Sequence, residues 1–209
     1  MHLQGRSREK SYRQLSKVSS ELHFSSLFSL QWYIVLAECG LTTAHHSMHW
    51  STITIAVSSK ALSRMHALFK STSYALTNEY ASAGLTVAIS IQSVPAAAPA
   101  SNHNSLGFHP WSSPEKKLLN LGVAFRYDDP AATDGLEEAI KTFTAGLYRI
   151  AREEGVLDTH LYLNYAGGWQ DVFAGYGNGS LQEMRQVARK YDERGMFQKQ
   201  VKGGFKLDK

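Results

Sequence analysis

Two phenols and a carboxamide stand within four residues at Tyr162-Leu163-Asn164-Tyr165. A phenol has an ordinary pKa of about 10. It can serve as a general base when neighbouring charge, or hydrogen bonds to the phenolate, lower that value. The amide between them can both donate and accept. Residues 160–165 read as a strand, which turns Tyr162 and Asn164 to one face and Leu161, Leu163 and Tyr165 to the other. The alternative for Tyr162 is an ordinary half-buried strand tyrosine. Gln92 and Arg126 also fall at strand ends and are candidates to line the same pocket. In Trp169-Gln170-Asp171, just downstream, Asp171 can cap a simple turn.

Other chemistries leave less trace. His45, His46 and His49 have the spacing of a metal cluster, but no carboxylate or cysteine stands near them. A His-rich turn before a strand is the preferred reading, and no metal site is assigned. Cys39 is the only cysteine, which excludes a disulfide framework and a cysteine-based zinc site. There is no nucleophile elbow, no H-E-x-x-H and no phosphate loop.

The elements that must position these residues follow from hydrophobic period. Residues 50–57 alternate apolar and hydroxyl side chains, as do 85–92 with Leu85, Val87, Ile89 and Ile91 on one side. Ser58 or Ser59 can cap a helix carrying Leu62, Met65, Leu68 and Phe69. Residues 93–114 form a long irregular connection. A third strand covers 118–127, and Asp128-Asp129-Pro130 stops it. A helix over 134–154 carries the stripe Leu136, Ile140, Phe143, Leu147 and Ile150, ending at Gly155. The order strand–helix–strand, loop, strand–helix–strand predicts an α+β fold of ferredoxin-like type. Its antiparallel sheet would carry helices on one face and leave the other open. A loop at 169–177, a helix at 180–191 and an extended tail at 196–207 complete the chain. The expected organisation is a basic, Ser-rich segment over 1–47, an α+β domain over 48–166 and a C-terminal segment over 167–209.

The chain has 209 residues, 43% of them hydrophobic and 19% charged, enough to bury a core without staples. The net charge of +4 arises in the first 110 residues, where 8 Lys and Arg face 4 Asp and Glu. The remaining 99 residues carry 14 of each sign. A basic terminal run such as Arg6 to Lys17 reads as a solvated extension, so nucleic acid is not the expected partner. The apolar stretch 27–36 starts too deep for a signal peptide and reads as a buried strand or helix. No apolar run reaches the roughly 20 residues needed to span a bilayer. The compartment is not assigned.

The series Tyr162-Leu-Asn-Tyr-Ala166, Gln170-Asp171, Tyr176-Gly177, Lys190-Tyr191-Asp192, Phe197-Gln198 and Gly203-Gly204-Phe205-Lys206-Leu207 resembles the C-terminal region of fungal FAD-linked oxidoreductases of the berberine-bridge-enzyme-like family. Residues 50–55, 84–92 and the loop ending Leu106-Gly107 are similar to the substrate-binding part of the same family. The likeness covers roughly 48–209.

The resemblance implies FAD as cofactor and oxidation of a small molecule, of secondary-metabolite type, by hydride transfer to the flavin. It implies Tyr162 as the catalytic base and Asn164 and Tyr165 as residues meeting the flavin; Gln92 and Arg126, at strand ends, are the substrate-binding candidates. The family's flavin-binding half, with its tethering residues and glycine-rich loop, has no counterpart in this sequence. The chain therefore reads as the substrate-binding half alone, unable to hold FAD by itself. Trp169, Phe173 and Tyr176 would then pack against a flavin-domain partner chain or drive self-association through an exposed apolar face. Two alternatives stand beside this reading. One is a flavin-independent isomerase or cyclase using the retained pocket; the other is a non-catalytic remnant or partner subunit.

Overall fold

The computed structural model of the chain describes residues 46–94 and 117–207. The expectations for the stretch 27–36, Cys39, His45 and nearly all of the long connection lie outside these residues. Strand β1 runs Ser47–Ala56, helix α1 Ser59–Glu79, β2 Thr86–Val94, β3 Leu118–Tyr127, α2 Thr133–Glu153 and β4 Leu157–Asp158. Single 3₁₀ turns follow at Leu163–Tyr165 and Phe173–Tyr176, then α3 at Asn178–Tyr191 and a wide π-type turn at Met196–Gln200.

The sheet order is β2-β3-β1-β4, and every neighbouring pair is antiparallel. Each helix thus joins two strands with a third lying between them. This is the split arrangement of a ferredoxin-like α+β fold, as the element order predicted.

Alternation along β3 separates the two faces. Leu121, Val123, Phe125 and Tyr127 enter the core together with Ile53 and Ile55 of β1 and Met65 of α1. The α2 stripe Leu136, Ile140, Phe143, Leu147 and Ile150 closes it, buried at every position. Each such side chain contributes about 1.5–3 kcal/mol by leaving water. Ser58 caps α1 by accepting from the Ala61 amide at 3.2 Å. The other face of β3 carries Asn120, Gly122, Ala124 and Arg126. Because paired residues share a face, the register lays rows across the sheet: Ala88–Ala124–Trp50, Ser90–Gly122–Thr52 and Gln92–Asn120–Thr54.

Two expectations are corrected. The fourth strand is not at 160–165 but at Leu157–Asp158, where it pairs only with Thr54 and Ile55. Asp158 Oδ1 accepts the His160 amide at 3.0 Å, and this local turn ends the pairing. Beyond it Leu161 and Tyr165 are buried while residues 162–164 are exposed, the four-residue spacing of a turn. Tyr165 N donates to Tyr162 O at 3.0 Å and Ala166 N to Leu163 O at 3.3 Å.

The tail also folds back instead of running out. The Met196 and Phe197 amides donate to the Asp192 carboxylate at 2.7 and 3.0 Å. Lys206 Nζ returns to donate to Phe197 O and Val201 O, each at 2.9 Å. These charge-assisted bonds satisfy carbonyls that an extended tail would leave to solvent.

Candidate functional site

The chemistry-bearing residues meet on the face of the sheet opposite the helices; expected to be open, this face is covered at its centre, with Thr52, Thr54, Asn120 and Ala124 all buried. Tyr165 lies flat over β3: a Cβ at Gly122 would come within 2.9 Å of its ring, so only glycine admits it. Its ring stacks on Trp50 with centroids 5.2 Å apart and planes 13° from parallel. Gln92 Nε2 reaches its hydroxyl at 3.4 Å. Tyr162 stands edge-on to Tyr165, centroids 5.0 Å apart, and its Oη accepts from Asn164 Nδ2 at 2.9 Å.

Four of the five expected site residues therefore converge: Tyr162, Asn164, Tyr165 and Gln92. They do so on a turn and not on a strand. This is why Tyr165, expected on the face opposite Tyr162, instead touches it.

Arg126 does not join them. It lies six residues along β3 from Asn120, about 20 Å away at strand rise. Its Nη2 lies 2.8 Å from His46 Nε2, and His46 Nδ1 lies 2.5 Å from Asp128 Oδ1. The tautomer with the proton on Nδ1 satisfies both contacts. His49 turns to other partners, Tyr127 Oη at 2.9 Å and Thr133 O at 3.1 Å. His46 and His49 thus serve separate networks.

Burial pushes the Tyr165 phenol above its usual value, which opposes a base role for it; the Gln92 contact works in the other direction. Tyr162 is 39% exposed, and with Asn164 donating to its oxygen its own hydroxyl hydrogen is directed elsewhere. Beneath the aromatic cluster, Asn120 Nδ2 donates to Thr52 Oγ1 at 2.6 Å, which donates to Leu121 O at 3.3 Å. Asn120 Oδ1 and Thr54 Oγ1 are buried and find no hydrogen-bond partner among the described residues.

Sequence reasoning missed Trp50 as a stacking platform, and it missed the buried role of Gln170. Gln170 Oε1 accepts from Thr52 N at 3.0 Å and Gly167 N at 2.9 Å. Its Nε2 donates to Thr52 O at 2.7 Å and to Tyr148 Oη at 3.3 Å. Asp171 caps a turn, accepting from the Ala174 amide at 3.2 Å. Of the three aromatics expected to face outward, Tyr176 is buried and stacks on His160 at 5.9 Å, with Phe173 edge-on to it. Trp169 remains 36% exposed, with the Lys141 ammonium 5.5 Å from its ring centre.

Burial of His160 lowers its pKa below the ordinary 6.5, against an opposing pull from Asp158. The folded chain therefore binds this proton less readily than the unfolded chain. The resulting stability is complete above about pH 6.5 and is lost as pH falls toward the folded value. The melting temperature should drop between pH 7.5 and 5, and less so in His160→Phe, which keeps the stack on Tyr176. Equal drops in both proteins would remove His160 as the cause.

No family model and no solved structure matches the chain. Its curated relatives are fungal proteins named FAD-dependent monooxygenases. It is 39% identical over 95 residues to sdcF of Emericella nidulans, a match covering 46% of this chain and 20% of that protein. It is 57% identical over 49 residues to drtC of Aspergillus calidoustus, covering 23% and 9% of the two chains. With FUP4 of Fusarium proliferatum the identity is 32% over 80 residues, covering 38% and 15%. The chain thus matches a fifth or less of the length of each of these relatives. The likeness supports a flavin-dependent oxidoreductase family. Among the described residues no helix is long and apolar enough to cross a membrane.

Proposed function

We propose that the chain is the substrate-binding part of a berberine-bridge-like FAD-linked oxidoreductase that oxidises a small secondary metabolite. The observation that carries this reading is its 39% identity over 95 residues to a protein named as an FAD-dependent monooxygenase. The convergence of Tyr162, Asn164, Tyr165 and Gln92 on the sheet face opposite the helices is consistent with it.

Their donor set suits the edge of a neutral heteroaromatic ring: hydroxyls and carboxamides, with no charge among them. It does not suit a pyrophosphate, which calls for a glycine-rich loop or a cationic cradle. We therefore assign the dinucleotide to a flavin-binding part outside the described residues and the substrate side to these residues. FAD would supply the redox chemistry as hydride acceptor. Tyr162 Oη would hold or take a substrate proton, Asn164 would orient that oxygen, and the Trp50–Tyr165 stack would exclude water behind it. The flavin-binding part would also cover Tyr191, Met196 and Phe197, which are 75%, 49% and 59% exposed on α3 and the wide turn.

A chimera in which residues 46–209 replace the corresponding segment of drtC tests this reading. It should oxidise that enzyme's own substrate, and Tyr162→Phe should lower its kcat by roughly 10²–10⁴-fold. A chimera that binds flavin but turns nothing over would overturn the assignment. So would a Tyr162→Phe chimera as fast as its parent.

A further inference from the structure

We infer that Gln170 is the positioning residue of the Tyr162–Tyr165 turn. Its buried carboxamide extends the β4 ladder one step along β1, and so fixes the phenol pair over the sheet face opposite the helices. The inference rests on the proposed role of that pair, but the geometry stands on its own.

The outer edge of β1 presents backbone groups at Ala56, Thr54 and Thr52. Ala56 N donates to Val156 O at 2.8 Å, and Thr54 pairs with Asp158. At Thr52 the backbone strand is gone, and Gln170 takes its place: Oε1 accepts from Thr52 N and Nε2 donates to Thr52 O. The remaining lone pair takes Gly167 N, and the remaining N–H goes to Tyr148 Oη on α2. All four hydrogen-bonding capacities of one amide are used.

A real strand here would commit the backbone of residues 160–165 to β1 and alternate its side chains. A side-chain splint leaves that backbone to make its own turn bonds, Tyr165 N to Tyr162 O and Ala166 N to Leu163 O. Only then can Tyr162 and Tyr165 touch. Gly167, bonded to the splint, is two residues from Tyr165. The position of Tyr165 on Trp50 and Gly122 is thereby referred to the edge of the central strand and to α2.

The test uses the full chain and reads the Trp50–Tyr165 stack by near-UV circular dichroism, assigned with Trp50→Phe. It also follows amide exchange at Thr52. Gln170→Ala should fold but lose the stack signal, and its Thr52 amide should exchange roughly 100-fold faster. Gln170→Glu keeps the acceptor but, when ionised, has no donor for Thr52 O. It should lose the signal at high pH, where the carboxyl is ionised, and regain it as the carboxyl protonates, at a pH above the ordinary glutamate value because the site is buried. A brace that merely adds stability would lower the melting temperature of Gln170→Ala and leave the folded-state signal unchanged; that result overturns the proposal. A pH-independent signal in Gln170→Glu overturns it as well, and this arm decides the matter if the alanine variant does not fold. Neither readout needs flavin or turnover, so failure of the flavin reading, judged by the chimera, is a separate outcome.

Discussion

Gln170→Leu should lower the free energy of unfolding by about 3–5 kcal/mol, measured by urea denaturation. Leucine nearly matches glutamine in volume, so little of the loss can come from a cavity. The loss comes from what is left behind. Thr52 N–H, Thr52 C=O and Gly167 N–H each lose their partner in a site where Thr52 is fully buried and Gln170 is 6% exposed. An orphaned buried group costs about 1–3 kcal/mol, and three of them account for the range at its lower end. Against a typical total of about 5–15 kcal/mol, that is a large share of the fold. Asp171→Ala, one residue away, removes only an exposed turn cap at 3.2 Å and should change stability by less than about 1 kcal/mol. Near-equal effects of the two substitutions would show that the Gln170 hydrogen bonds contribute little net free energy.

The contrast between Gln170 and α2 shows what the sequence carries. The stripe from Leu136 to Ile150 repeats every three or four residues, and all five of its side chains are buried. A helix face is a local property, so its period is written in the chain. The same holds for β3, where inward Leu121, Val123 and Phe125 alternate with Asn120, Gly122 and Ala124.

The segment 160–165 misleads because its alternation of apolar and polar residues fits a strand equally well. Two contacts decide against a strand, one local and one distant: Asp158 captures the His160 amide two residues on, and Gln170 already occupies the β1 edge at Thr52. The site is legible in the same uneven way. Tyr162, Asn164 and Tyr165 are close in sequence and meet. Gln92 joins them only because the register sets it opposite Asn120, two residues along β3 from the Gly122 over which Tyr165 lies. Arg126 shares that face yet lies rows away, held by His46. Face can be read from period; distance along a strand's partner cannot.

Gly175→Ala should cost about 2–3 kcal/mol, although its backbone is not in the left-handed region that demands glycine. The cost is steric. A Cβ at residue 175 would collide with the carbonyl oxygen of Thr159 and crowd His160 Cα at 3.1 Å. Backbone cannot rotate aside as a side chain can, so the Phe173–Tyr176 turn would have to lift away from Thr159 and His160. Lifting it separates Tyr176 from His160, whose rings stack at 5.9 Å, and loosens the chain that leads from β4 into the Tyr162–Tyr165 turn.

Gly155→Ala isolates the opposite cause. Its φ of +65° is left-handed, but nothing lies within 4 Å of the added methyl, so the penalty is conformational and about 1 kcal/mol. The two variants should also differ in kind. Gly155→Ala should lower the melting temperature while leaving the Trp50–Tyr165 near-UV signal intact. Gly175→Ala should weaken that signal in the folded state, because the 159–176 segment seats Tyr165 as well as Tyr176. If Gly175→Ala kept the full signal, the two halves of that segment would be mechanically independent, and Gln170 alone would locate the phenols.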